Sequence, residues 1–179
     1  MENKDYYNDL FISLCEKNDL YKIQFVLELK EEIRPDINYN KGEGLVISCI
    51  HDYYDLFKFL IEHNNNHFTD MERLFTICCD FGSLKCAKYL LDNNDISKEA
   101  FKKSVYHLLI DIVDNERKEA ILEYFLFDNK FSKEGNLKIF LEKSFPDIDV
   151  SKIFSVVEKK YLEKTLEVKN IDKVKMTKI

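Results

Sequence analysis

Leu74-Phe75-Thr76-Ile77-Cys78-Cys79-Asp80-Phe81-Gly82-Ser83-Leu84-Lys85-Cys86-Ala87-Lys88-Tyr89-Leu90-Leu91 is the stretch whose reading decides the fold. Its apolar residues fall at helical spacing on either side of Gly82. Glycine suits the left-handed conformation that ends a helix. The segment therefore predicts two short amphipathic helices joined by a tight turn.

The same pattern recurs along the chain. Moved back 64 residues, it lies on Leu10 to Leu27. Leu10-Phe11 meet Leu74-Phe75, Asn18 meets Gly82, and Phe25-Val26-Leu27 meet Tyr89-Leu90-Leu91. Asn tolerates a left-handed turn well. Moved back 30 residues, it lies on Leu45, Ile47, Asp52, Tyr54, Phe57 and Phe59-Leu60-Ile61. Moved forward 35, it meets Leu109-Ile110, Ile112, Leu122 and Tyr124-Phe125-Leu126, with Arg117 at the turn. The aromatics Phe25, Phe59, Tyr89 and Tyr124 are expected in equivalent buried places. A unit of this kind exposes apolar faces when alone, and stacking neighbours buries them. Cys15, Cys49 and Cys79 share one register, beside Leu14, Ser48 and Cys78. Free cysteine packs as a small hydrophobe, so these are expected to be buried, reduced thiols at contacts between units.

Spacings of 34, 30 and 35 residues bracket the period of ankyrin repeats. The segment from Gly82 to Leu91, followed by Asn93-Asn94-Asp95-Ile96, resembles the second helix and exit turn of that family. Pro35-Asp36-Ile37-Asn38-Tyr39 resembles its exit into the connecting finger. The family's Thr-Pro-Leu-His start is missing throughout, with Arg73-Leu74-Phe75-Thr76 in its place, and glycines are missing at the exit turns, so the repeats are degenerate. The likeness is to divergent ankyrin proteins of large DNA viruses and AT-rich protists. It implies an all-α, ankyrin-like helical-hairpin solenoid over 6–130, in units of about 6–40, 41–70, 71–100 and 101–130. A helical capping unit over 131–165 and a basic tail over 166–179 are expected to follow.

Composition agrees with helices and short connections. The chain has 179 residues, enough to bury a core without disulfides or a metal. Four Gly and two Pro are few for an all-β protein rich in tight turns. A net charge of −6 argues against generic nucleic-acid binding, although Lys164, Lys169, Lys173, Lys175 and Lys178 enrich the end of the chain in positive charge. No apolar run is long enough to span a membrane, and the charged start is unlike a signal peptide. A cytoplasmic location is expected, host cytoplasm if the protein is viral. Five cysteines with no CxxC pair fit a reducing compartment.

Beyond residue 131, Glu134 to Phe145 reads as a helix, ended by Pro146. Asp149 or Ser151 could cap a second helix with Ile153, Phe154, Val157, Tyr161 and Leu162 on one face. Leu166 to Ile179 reads as a frayed tail, with a small hairpin around Asn170-Ile171-Asp172 or a docked strand as alternatives.

Motifs for catalysis or metal binding do not emerge. Glycines are too few and scattered for a phosphate-binding loop, and no GxSxG or HExxH occurs. Cys49 and His51 are two apart on a helix and point to different sides. His63-Asn64-Asn65-Asn66-His67 offers two histidines without a third ligand and reads as a solvated loop. The acidic runs Glu31-Glu32 and Asp111 to Glu119 do not follow a calcium loop. No cofactor and no metal are expected.

What the resemblance implies is a protein partner met by finger tips and by the residues just before each inter-helix turn. Those residues are Glu16 and Lys17, Ile50 and His51, Asp80 and Phe81, and Asn115 and Glu116. The finger positions are Tyr39 and Asn40, then Thr69 and Asp70. Ile50, Phe81 and Tyr39 are expected to cluster inside a charged ring, as interface anchors do; slight helix rotation would instead bury Ile50 and Phe81. The expected function is a non-enzymatic protein–protein interaction module that inhibits or sequesters its partner. One alternative is a ubiquitin-ligase adaptor, since residues 137–165 faintly resemble an F-box-like segment. Another is a small helical enzyme or direct nuclease inhibitor on a non-ankyrin fold.

Overall fold

The protein is described here from a computed structural model that covers residues 4–64, 70–110, 115–128 and 137–176. Among the described residues it is helical, with no strand. The helices are α1 (Lys4–Glu16), α2 (Leu20–Leu27), α3 (Tyr39–His51), α4 (Tyr54–His63), α5 (Met71–Phe81), α6 (Leu84–Asn93), α7 (Lys98–Ile110), α8 (Glu116–Glu123), α9 (Leu137–Ser144) and α10 (Val150–Met176). A π-helical turn, Tyr124–Asp128, continues α8. The chain divides into two compact units, Met1–His107 and Leu108–Ile179.

In the first unit α1/α2, α3/α4 and α5/α6 pack as helical hairpins. Helix α3 lies between α1 and α5, and α4 packs on α6. Each hairpin turns through one left-handed residue: Asn18 at φ 52°, Asp52 at φ 54° and Gly82 at φ 71°. The same two hydrogen bonds close every turn. The N–H groups of Asn18, Asp52 and Gly82 donate to the carbonyls of Cys15, Cys49 and Cys79. The next N–H groups, of Asp19, Tyr53 and Ser83, donate to Leu14, Ser48 and Cys78. This paired pattern satisfies carbonyls that a helix end leaves open.

The buried register repeats as well. Phe11, Leu45 and Phe75 are fully buried in the first helices, as are Cys15, Cys49 and Cys79. In the second helices Ile23, Phe57 and Ala87 are fully buried, with Val26, Leu60 and Leu90 one turn later. All five cysteines are free and buried. The Cys86 thiol donates to the Ser48 carbonyl at 3.9 Å. Helix α5 then packs on α7, with Phe75 and Phe101 rings stacked at 6.2 Å and the Thr76 and Ser104 hydroxyls 3.0 Å apart.

Two side-chain links hold the segment between the first hairpins. The Asp36 N–H donates to buried Asn8 at 2.9 Å. Asn38 and Asn64 exchange amide hydrogen bonds at 3.1 and 2.9 Å. Ser83 precedes α6 at the capping position, yet its hydroxyl makes no capping bond. Instead Asp52, from the preceding hairpin turn, accepts the Cys86 N–H at 3.2 Å.

In the second unit Asn115 caps α8 by accepting the Lys118 N–H, and Asp149 caps α10 by accepting that of Lys152. Ile121, Leu122, Phe125, Leu141, Val150, Phe154 and Val157 are buried. Helix α10 is tied to α8 by Lys160, which donates to both Glu119 oxygens at 2.6 and 2.8 Å, and by Lys164, which donates to Glu123 at 2.7 Å. The Phe127 and Tyr161 rings stack at 4.1 Å.

Several expectations need correction. Phe25 is 65% exposed, Phe59 and Tyr89 are half-buried, and Tyr124 is buried in the π-helical turn, so the four aromatics are not equivalent. Phe25 stands exposed on α2, whereas Tyr89 packs on Phe57 and Tyr54 of the preceding hairpin. Arg117 lies inside α8 rather than at a turn. Residues 166–176 continue α10 instead of forming a frayed tail, a hairpin or a strand. No Gly or Pro interrupts 150–176, and exposed pairs such as Lys159–Glu163 support the helix surface. Leu162 is exposed, off the face that Phe154 and Val157 bury. The helix expected from Glu134 is seen from Leu137; 134–136, Asp111–Asp114 and Asn65–Thr69 lie outside the described residues.

Candidate functional site

The hairpin turns place three pairs of predicted site residues side by side. Glu16 ends α1 and Lys17 follows it, Ile50 and His51 end α3, and Asp80 and Phe81 end α5. Because α1, α3 and α5 pack in that order, these pairs form one row at the helix C-terminal ends. Each turn bends the chain away directly afterwards, which keeps the row open. Glu16, Lys17 and His51 are exposed, Ile50 is half-buried, and Phe81 is 49% exposed. His51 stacks on Tyr53, with ring centroids 5.1 Å apart.

Asp80 is not a free charge. Its Oδ1 lies 3.3 Å from Nδ1 of His107, in the last turn of α7. Sequence reasoning did not find His107. The signal available was a histidine in the last turn of an amphipathic helix, where a cation is favoured by the helix dipole.

Tyr39 and Asn40 fall elsewhere. They begin α3, whereas Ile50 ends it, so the expected cluster of Tyr39 with Ile50 and Phe81 does not form. Tyr39 donates to Asp9 at 3.4 Å, and the charge of Asp9 raises its hydroxyl pKa above the usual tyrosine value. Asn40, Lys41 and Gly42 are all left-handed, at φ 49°, 60° and 74°. Three local contacts support this strained turn. Asn40 donates to Glu43 at 2.7 Å, the Gly42 N–H donates to Asn38, and Arg73 donates to the Lys41 carbonyl at 3.3 Å. Asp70, the other finger position, caps α5 by accepting the Arg73 N–H.

Asn115 and Glu116 also need reassignment. They start α8 instead of ending a helix, and they belong to the second compact unit. Asn115 is occupied as a cap, so its amide oxygen has a structural task.

An open groove of about 530 Å³ runs between α5 and α7, lined in part by Glu72, Arg73, Thr76, Glu99 and Lys103. Hydrogen bonds from Ser97 hold the Glu72 carboxyl below its ordinary pKa. Among the described residues no group of three His, Cys, Asp or Glu side chains is arranged to hold a metal ion. None of their helices is long and apolar enough to cross a membrane.

The thiols are chemically restrained. Burial, with the Glu16 charge adding, pushes Cys15 up to about 12. Burial also raises Cys49 and Cys78, while the hydrogen bond with Cys78 and burial raise Cys86. The thiolate is the nucleophilic form, so these sulfurs are held in their unreactive state. No family model matches the chain, and no solved structure matches it.

Proposed function

We propose that this chain is a non-enzymatic protein-interaction module built as an ankyrin-like helical-hairpin solenoid. Its binding edge is the row formed by Glu16, Lys17, Ile50, His51, Asp80 and Phe81. The partner is a protein, which the module inhibits or sequesters in the cytoplasm. One observation carries this reading: the same left-handed turn recurs at Asn18, Asp52 and Gly82, with the same two hydrogen bonds. A repeated turn presents side chains from successive units along one line, and linear arrays of this kind suit recognition of a macromolecular surface. Phe81 supplies a half-exposed aromatic beside charged neighbours, the composition of an interface anchor. The protonated, buried thiols weigh against a cysteine-nucleophile enzyme.

The test is affinity capture from the native cell with quantitative mass spectrometry. Baits are the wild type, Lys17→Glu, Phe81→Ser and Leu162→Ser. All four should melt within a few degrees of one another, because each site is at least partly exposed. Loss of the same captured protein with Lys17→Glu and Phe81→Ser, but not with Leu162→Ser, supports the row. The opposite pattern moves the working surface to α10 and favours the adaptor reading.

A further inference from the structure

Helices α1, α3, α5 and α7 carry an open stripe whose charge changes along the stack. Phe11, Leu45, Phe75 and Val105 are fully buried in these four helices, at spacings of 34, 30 and 30 residues. Two residues before them stand Asp9, Glu43, Arg73 and Lys103. Two residues after Leu45 and Phe75 stand Ile47 and Ile77. Positions three or four apart share a helix face, so these side chains lie on the face that also carries Ile50 and Asp80. Asp9, Arg73 and Lys103 are exposed, and Glu43, Ile47 and Ile77 are half-buried. On α1 and α3 the stripe is acidic. Tyr39 donates to Asp9 at 3.4 Å, and the charge of Asp9, with burial and the charges of Asp5 and Glu43, raises the Tyr39 hydroxyl pKa. These carboxylates therefore gather around one point. On α5 and α7, Arg73 and Lys103 line the open groove together with Glu72 and Glu99, which leaves that half near neutral. Ile47 and Ile77 form an apolar step beside both halves. The sequence carries the same split: residues 1–55 hold twelve Asp and Glu against six Lys and Arg, so they account for the whole −6 charge, and the rest of the chain balances.

We propose that this stripe receives a basic, extended protein segment that crosses α1 and α3, with Lys or Arg side chains on Asp9 and Glu43 and apolar side chains on Ile47 and Ile77. The inference rests on the reading of the helix-end row as a binding edge, and it names the chemistry of what binds there. Charge complementarity selects the occupant. An acidic face steers a basic segment toward it and repels phosphate backbones and anionic lipid. Spacing selects its form. Neighbouring packed helices lie about 8–10 Å apart, and an extended chain advances about 3.3 Å per residue. Cations about three residues apart therefore meet the carboxylates of successive helices. Arg73, at the equivalent place on α5, ends the acidic run and fixes where the basic part of the segment must stop.

Fluorescence anisotropy of a labelled peptide repeating Lys-Val-Thr, titrated with the full chain to about 500 μM, tests this. Salt is held at about 0.1 M, where charges more than about 10 Å apart are screened. The comparison peptide repeats Glu-Val-Thr. The wild type should bind the Lys peptide and not the Glu peptide. Asp9→Lys and Glu43→Lys should each weaken binding about fivefold or more. Glu62→Lys makes the same change in net charge on an exposed site of α4 and should leave binding within about twofold. Asp9 is so exposed that its variant keeps its fold, which circular dichroism melting verifies. A wild type that ignores the Lys peptide, that prefers the Glu peptide, or that loses as much with Glu62→Lys as with Asp9→Lys overturns the proposal. Native-partner capture that depends on Lys17 and Phe81 would still support the row after any of these results. Capture indifferent to both variants would sink the row whatever the peptides do.

Discussion

At the scale of single residues, close approach governs what is tolerated. At Gly44 α3 lies close against α1, and the atoms a methyl group would meet belong to the fully buried side chains Phe11 and Cys15. Alanine favours the helix by about 1 kcal/mol, whereas overpacking a tight core costs about 1–3 kcal/mol. Gly44→Ala should therefore lose about 1 kcal/mol net in urea titration. An increase in stability would show that the contact yields easily. The cysteines give a second residue-scale expectation. Native protein should react slowly with a thiol reagent at neutral pH, and all five thiols should react in denaturant. Stability should also depend on alkaline pH. In the unfolded chain Cys15 ionises near its ordinary 9.0, while in the folded state it holds its proton to about 12. Its contribution is complete below pH 9 and is lost as pH rises through that interval. Urea midpoints that stay flat from pH 8 to pH 11 would contradict this.

At the scale of elements, the turns were the most legible part of the sequence. Asn18, Asp52 and Gly82 are residue types that accept positive φ, and each adopts it. The cysteine register was legible for a similar reason, since a small apolar side chain suits one kind of place. Phe25 was misread because register alone does not say which side chains a neighbouring helix covers. Arg117 was misread because apolar matches were weighed above a capping signal: Asn115 followed by Glu116 is a helix start. Left-handed Asn40 and Lys41 were not legible, because lysine carries no preference for that conformation. Their strain makes a prediction: Lys41→Gly should add about 1 kcal/mol of stability, because glycine removes the Cβ clash while the carbonyl bonded by Arg73 remains. A destabilised variant in thermal melting would show that the lysine side chain matters more. The C-terminal helix depends on a polar link. Glu119 is nearly buried and is held by Lys160, which remains half exposed. Lys160→Met should cost about 1–3 kcal/mol, since it leaves a desolvated carboxylate without its cation. A cost near zero would mean that water reaches Glu119 easily.

At the scale of the whole molecule, the repeated hairpins divide the labour between faces. Each hairpin packs on its neighbours in the first unit, while Glu16, Lys17, His51 and Phe81 stay exposed at the helix ends. The row from Glu16 to Phe81 belongs to these helix ends. Amide hydrogen exchange, with and without the captured partner, measures this most directly. Added protection is expected at the ends of α1, α3 and α5 and in the turns at Asn18, Asp52 and Gly82, with α9 and α10 unchanged. Protection confined to α9 and α10, with those turns exchanging as in the free protein, would contradict it.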